Sequence, residues 1–464
     1  MPILNAIMVP HPPLIIPQVG RGEEKKIQAT VDAYRTASRA VAAARPEVVV
    51  IFTPHSVLYA DWFHISPGEV ASGSFAQFGA AEVSISARYD TEFIAALTRM
   101  AREKHFPAGT QGQKRRELDH ASMVPLVFLR EAWGETPLPS IVRIGLSGLP
   151  TKEHYRLGMM IRDTAERLGR RAAIIASGDL SHHLTSDGPY GFHPEGPEYD
   201  ARIMGVMGRG AFNELFDFTD TFCERAGECG HRSFAILAGC FDGRNVSSAA
   251  LSYEGPFGVG YGVCLYTTGR EDEGRQFLLA ALQQEEERGK ARKAGEDAYV
   301  RLARLSVETY VKTARRAKLP EDLPEELTAA RAAVFVTLHK DGRLRGCIGT
   351  TSPASGSVAE EILRNAVSAC SEDPRFPPVR EDELPSLEYS VDRLSAPEDI
   401  ASPEQLDVKR YGVIVSARGR RGLLLPDLEG VDTVEEQVAI ARQKGGIAPE
   451  ESVKLQRFRV VRHV

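Results

Sequence analysis

Arg171-Ala-Ala-Ile-Ile-Ala-Ser-Gly-Asp-Leu-Ser-His-His183 places five apolar residues, Ala172 to Ala176, directly before a cluster of polar side chains. The apolar run is too short for an ordinary helix and meets no turn residue before Gly178. It predicts a strand buried on both faces, the pattern of a parallel sheet. Ser177, Gly178, Asp179, Ser181, His182 and His183 follow at once. In an open α/β sheet, ligands bind in the crevice beyond the carboxyl ends of the strands. This one segment therefore predicts both the fold and the place of its site.

Two other segments end the same way. Pro2 to Val9 is apolar and stops at Pro10-His11-Pro12-Pro13, and prolines cannot continue a central strand. Glu47-Val48-Val49-Val50-Ile51-Phe52 is strongly β-branched and stops at Thr53-Pro54-His55-Ser56. Between them, Gly22 to Ala44 is charged and alanine-rich, as a helix would be. A strand, helix, strand order implies a right-handed parallel crossover, which puts both strand exits, with His11 and His55, on one edge of the sheet. Further helices are expected over 91–106 and 152–168 and from about residue 230, and a strand over Ser140 to Leu146. Phe257, Val259, Tyr261, Val263 and Leu265 alternate as a strand does.

The predicted fold class is α/β over residues 1–268, a mostly parallel central sheet flanked by helices. Residues 269–295 are densely charged and predict a solvated helical linker. A smaller α+β unit is expected over 296–464. Tyr299, Leu302, Ala303 and Tyr310 fall on one helical face, and Ala332 to Leu338 predicts a strand. Asp341-Gly342 carries the signature of a hairpin turn.

A length of 464 residues calls for more than one core, and a hydrophobic fraction of 42% is ample to form them. The net charge of -6 gives no general attraction to nucleic acid or to an anionic membrane, so neither is expected as a partner. Six cysteines lie scattered without a CxxC pair, as reduced cytosolic thiols do. With no signal segment and no run of about 18 apolar residues, a cytoplasmic protein is expected.

A lone histidine is ordinarily a satisfied or exposed side chain. Two at neighbouring strand exits are the start of a metal site, because two imidazoles and a carboxylate form a facial triad with open positions for substrate and dioxygen. Glu228, Cys229 and Glu254 are the candidates for the third ligand. His182 is the candidate acid/base, since an imidazole can take and return a proton near neutrality. Asp179 either orients it or forms an Asx turn or helix cap. His120, in Leu118-Asp119-His120-Ala121-Ser122, either bonds a bound oxyanion or caps a helix. Arg345, beside Gly346 and Gly349, could present its guanidinium to an anion, the alternative being that the glycines serve turns and Cys347 is buried. Glu383 and Glu388 are expected to be surface charges.

Val9-Pro10-His11-Pro12-Pro13, Thr53-Pro54-His55, Leu118-Asp119-His120, Ser177-Gly178-Asp179-Leu180-Ser181-His182 and Cys229-Gly230-His231-Arg232-Ser233 together resemble the LigB-type class III extradiol dioxygenases and their Memo relatives. The resemblance implies that His11, His55 and Glu228 hold iron(II), that His182 is the acid/base, and that His120 contacts the substrate. Memo-like proteins carry a cysteine at the third position, here Cys229, and a thiolate shifts preference toward zinc or copper(I). Leu344-Arg345-Gly346-Cys347-Ile348-Gly349, Asp373-Pro374-Arg375-Phe376-Pro377-Pro378 and Gly422-Leu423-Leu424-Leu425-Pro426 resemble the AMMECR family. Prokaryotic members are associated with Memo-like and radical-SAM proteins as a three-part system, the AmmeMemoRadiSam type. The two resemblances imply an extradiol ring-cleavage oxidoreductase acting on a small catechol-type aromatic. The alternative they imply is a catalytically silent, Memo-like metal-binding or scaffold protein working with a radical-SAM partner.

Overall fold

Burial on both faces is what the run Ala172–Ser177 requires, and in the computed structural model all six of its residues are buried. The structure describes residues 2–112, 117–340, 342–428 and 430–464. The chain divides into two units, 1–283 and 284–464.

In the first unit the strands are β1 (Ile3–Val9), β2 (Val48–Thr53), β3 (Phe63–His64), β4 (Val70–Phe75), β5 (Ala80–Arg88), β6 (Ala108–Gly109), β7 (Ser140–Gly145), β8 (Ala172–Ser177), β9 (Arg244–Glu254) and β10 (Tyr261–Glu271). The central six-stranded sheet runs β7-β2-β8-β1-β10-β9. Its first four strands are mutually parallel, β10 pairs antiparallel with β1, and β9 pairs antiparallel with β10. β8 lies between β1 and β2, with Val9 opposite Ser177 and Phe52 opposite Ala176. The exits that carry His11, Asp179 and His55 are therefore consecutive along one edge.

Helices Gln28–Ala44, Thr91–Glu103, His120–Trp133, Thr151–Leu168, Glu195–Arg209 and His231–Gly239 cover this sheet, and their apolar stripes join the strands in one continuous core. The short strands β3 and β6, the β4–β5 hairpin and β9 were not foreseen. Arg-Asn-Val-Ser-Ser-Ala-Ala-Leu-Ser-Tyr-Glu of β9 is rich in small polar residues because β9 is the sheet edge and largely solvent-facing. Gly269 to Glu271, expected in the linker, prolong β10, and the charged helix runs over Phe277–Gly295. Among the described residues no helix is long and apolar enough to cross a membrane.

The second unit holds two four-stranded sheets. One orders Arg343–Gly349, Val334–Lys340, Leu387–Leu394 and Val460–His463, and the other orders Glu398–Ile400, Lys454–Phe458, Gly412–Ala417 and Arg420–Leu424. All pairings are antiparallel, and helices Ala298–Thr313 and Val358–Ser371 pack on the first sheet. Asp341 of the expected hairpin turn lies outside the described residues. The strands on either side of it pair as that turn requires. Tyr299, Leu302 and Val307 bury against Val334, Ile362 and Val391, so this unit closes a core with its own residues. Residues 296–464 expressed alone should accordingly give dispersed amide NMR signals and a cooperative melt. An insoluble or non-cooperative product would mean that the core depends on residues before 296.

Candidate metal centre

His11 follows β1 in a proline-bounded loop that leaves its backbone little freedom. Its backbone N–H donates to Asp179 Oδ1 at 2.7 Å, and its Nδ1 stands 3.1 Å from Ser177 Oγ. Both partners come from the end of β8, and they leave Nε2 of His11 facing the crevice. His55 follows β2, and its N–H donates to Thr53 Oγ1 at 3.2 Å. Thr53 Oγ1 donates in turn to Asp119 Oδ1 at 2.6 Å. Asp119 caps the helix His120–Trp133, accepting the Ser122 N–H at 2.9 Å and the Ser122 hydroxyl at 3.0 Å. One carboxylate thus ties the β2 exit to the helix start that carries His120.

The three imidazoles converge. The His55 and His120 rings stack at 4.4 Å, and the His11 ring meets them edge-on at 4.8 and 5.4 Å. One ring nitrogen from each lies within 4.8 Å of the others. His11 Nε2 and His55 Nε2 are 3.0 Å apart, close enough to share a proton or a metal ion. Nitrogens each about 2.0–2.1 Å from one ion stand about 2.8–3.4 Å apart at bond angles of roughly 90–110°, so the 3.0 Å pair fits an ion without rearrangement.

Electrostatics keep the cluster in its ligating form. Burial pushes His11 well below the usual histidine range, and the neighbouring His55, His120 and His182 imidazoles push it further. Burial lowers His55 against the opposing pull of Asp119. Burial, then His55, brings His120 to about 4, again against Asp119. Burial, then His55 and His183, brings His182 to about 4. Neutral imidazoles are the form that binds metal.

The structure redistributes the remaining sequence candidates. His120, expected at the substrate, lies with His11 and His55 in the group that could hold a metal ion. His182 stays outside it and stacks on Tyr190 with ring centroids 5.2 Å apart. His183 turns away, its Nδ1 2.9 Å from the Tyr190 carbonyl oxygen. Asp179 holds His11 rather than orienting His182. Glu228 is not brought to the histidines. Its buried carboxylate accepts the His231 N–H at 2.6 Å and lies 3.5 Å from the Tyr199 hydroxyl. It is drawn there by the unpaired N–H groups that open helix His231–Gly239. Glu254 accepts from Thr30 N at 2.7 Å and Thr30 Oγ1 at 2.6 Å, in the first turn of Gln28–Ala44, and is likewise no ligand in this arrangement.

Cys229 is the residue of that loop that reaches the site, with Sγ 3.7 Å from His11 Nε2 and 3.3 Å from the Asp179 backbone nitrogen. Two glycines allow the approach: a Cβ on Gly178 would lie 2.2 Å from Gly230 Cα. Burial pushes the Cys229 thiol well up, and Asp179 and Glu228 add to it. Since Glu228 serves the helix start, Glu228→Ala should leave metal content unchanged while lowering stability by about 1–3 kcal/mol, the worth of a lost buried acceptor. Metal loss without unfolding would return Glu228 to the ligand set.

Acid titration follows from the same burial. His120, His182 and His231 sit at about 4 and His154 at about 3, all lowered chiefly by burial. Below about pH 6.5 the unfolded chain takes up protons that these folded groups refuse, so stability falls as pH drops toward 4. Asp179, Asp200 and Glu228, raised by burial to about 7, act oppositely between about pH 4 and 7. They are fewer than the lowered histidines, which also include His11, His55 and His64. The metal-free protein should therefore melt at a lower temperature at pH 4.5 than at pH 7. An unchanged or higher melting temperature would reverse that balance.

A cavity of about 900 Å³ opens beside His55 and His120 and extends to His64, Ser66 and Arg143. Neither His64 nor Arg143 stood out in the sequence, because neither follows a long strand or lies in a motif. In the second unit, Arg345 is not free for an anion. Its Nε and Nη2 donate to Glu383 at 3.1 and 2.9 Å, and its other bonds go to the Pro377 and Pro378 carbonyls. Glu383, expected on the surface, is consequently buried, and Glu388 is half-buried and pairs with Arg292. Gly346 serves packing rather than a turn, since a Cβ there would meet the Ala369 carbonyl oxygen at 2.1 Å, and Cys347 is only half-buried.

Residues 5–264 match the family model described as the catalytic LigB subunit of aromatic ring-opening dioxygenase, and residues 300–463 match the AMMECR1 model. Protein CA_C1420 of Clostridium acetobutylicum is 39% identical over 464 residues, covering 98% of each chain. A protein of Thermotoga maritima is 52% identical over 171 residues, 36% of this chain and 98% of its own length. The crystal structure of PH0010 from Pyrococcus horikoshii shares 35% identity over 35% of this chain and 88% of that one, with a TM-score of 0.33. With its histidine cluster at the exits of a mostly parallel sheet, the chain belongs to the LigB family and carries an AMMECR1 domain after the LigB unit.

Proposed function

We propose that the LigB unit is a metal-dependent oxidoreductase of the extradiol type, acting on a small aromatic diol. The observation that carries this reading is the 3.0 Å approach of His11 Nε2 to His55 Nε2, with His120 completing the cluster at the cavity wall. His11, His55 and His120 would hold the ion, with Asp179, Ser177 and Asp119 fixing them. Iron(II), when bound, supplies Lewis acidity toward a chelated diol and access to dioxygen chemistry. His182, neutral at pH 7, takes the proton from a diol hydroxyl on one of its ring nitrogens and later returns it. The cavity beside His55 and His120 has room for the ring.

A second reading has its own observation. The hard carboxylate Glu228 is turned from the cluster, whereas the thiol of Cys229 is beside it. Three imidazoles with a nearby thiol suit zinc or copper as well as iron. That donor set favours a metal-binding protein without turnover, which would act with the AMMECR1 domain and a radical-SAM partner. Anaerobic loading of the full chain with iron(II), metal analysis, and oxygen uptake with a panel of catechols separates the two. Uptake matched by a ring-opened product supports the enzyme. One metal per chain with neither uptake nor diol binding supports the second reading.

A further inference from the structure

His64 lies in β3, held by pairing with Ala108 and Gly109 of β6, and it lines the same cavity as His55 and His120. It is 1% exposed, and neither of its ring nitrogens has a hydrogen-bond partner among the described residues. Buried polar groups in folded proteins are almost always paired, so an orphan facing a cavity marks the place of something absent. His154 in the same unit shows the ordinary outcome: it accepts from the Ser147 N–H at 3.3 Å and meets the Pro150 carbonyl oxygen at 3.1 Å. The Ser56 hydroxyl, also lining the cavity, is a second buried group without a partner among the described residues.

The chemistry of the missing group follows from the donors and charges around it. Burial, and Arg143 nearby, keep the His64 ring neutral, so it offers one N–H donor and one lone pair. Among the described residues, the charged ones lining the cavity are Arg143, Asp119 and Glu117. Arg143 is engaged: Nε donates to Ser66 Oγ at 2.8 Å, Nη1 donates to the Glu117 carbonyl oxygen at 2.7 Å, and Nη1 stands 3.7 Å from Asp119 Oδ2. With Arg143 committed to these partners, no cation among the described residues lining the cavity is left free to attract an anion. A ligand group that both donates and accepts, and carries no charge, matches His64 and Ser56.

We propose that the His64 end of the cavity is a specificity site for an uncharged substituent that donates and accepts hydrogen bonds, of the carboxamide type, carried on the diol ring. This rests on the reading of the centre as a diol site, and the test separates the two. The full metal-loaded chain is labelled with 13C-histidine, the His64 signal is assigned by its loss in His64→Gln, and toluene, benzoate and benzamide are titrated. Benzamide should shift the His64 signal, and toluene should not. Binding of 3,4-dihydroxybenzamide should be about tenfold tighter than that of 4-methylcatechol, the worth of one net hydrogen bond. That margin should vanish in His64→Phe and survive in His64→Gln, with metal content unchanged in both. A His64 signal unmoved by benzamide, a margin that persists in His64→Phe, or tighter binding of benzoate than of benzamide would overturn the proposal. If no diol binds while benzamide still shifts His64, the diol reading falls and the specificity site stands.

Discussion

Replacing His55 by alanine is expected to reduce bound metal from about one per chain to a trace and to abolish turnover. Changing a residue that merely supports a ligand costs about 10- to 100-fold in affinity, and loss of a ligand itself exceeds that. His55 is the informative choice because it is far more accessible than His11, which is 1% exposed and whose removal would leave a hole in the core. The variant should therefore keep its fold, which a melting curve without added metal checks. His183→Ala is the control: its ring bonds the Tyr190 carbonyl outside the cluster, so metal content should not change. Full metal occupancy in a folded His55→Ala protein would remove His55 from the centre and with it the site.

The parts of this centre that were legible in the sequence are those that strands deliver. Val9, Phe52 and Ala176 end runs that only a buried strand can bury, so the polar residues after them had to share one edge of a parallel sheet. His11 and His55 follow from that argument alone. The choice between Glu228 and Cys229 did not, because adjacent loop residues point opposite ways. Which one faces His11 is decided by the contact of Gly178 with Gly230, residues far apart in the chain. The cap was looked for at His120, and it is Asp119 that caps the helix; its bond to Thr53, which joins two elements of the site, is purely tertiary. The same holds in the second unit. Arg345 looked available beside its glycines, and the distant Glu383 consumes it. His64 was illegible for a related reason: β3 is two residues long and carries no periodicity to read.

His182 gives the second large effect and the sharper division of roles. It belongs to the edge where His11 and His55 meet, yet its ring is outside the set of mutually close ligand nitrogens and stacks on Tyr190. Its position is nonetheless rigid. The backbone around it is fixed by the Ser181 N–H donating to Asp200 at 2.8 Å and by the Ser181 hydroxyl donating to the Ala226 carbonyl at 2.6 Å. A ring so held, neutral through burial and close enough to His55 to feel its charge, can exchange a proton with a molecule at the centre without binding the ion. His182→Ala should therefore retain the metal and slow turnover by about 10²- to 10⁴-fold, the usual contribution of a positioned acid/base. It should also remove from the pH–rate profile the limb that reports this histidine, which loss of packing alone would not do. Metal loss in His182→Ala would make it a ligand, and unchanged turnover with an unchanged profile would leave it no part in the proton transfer.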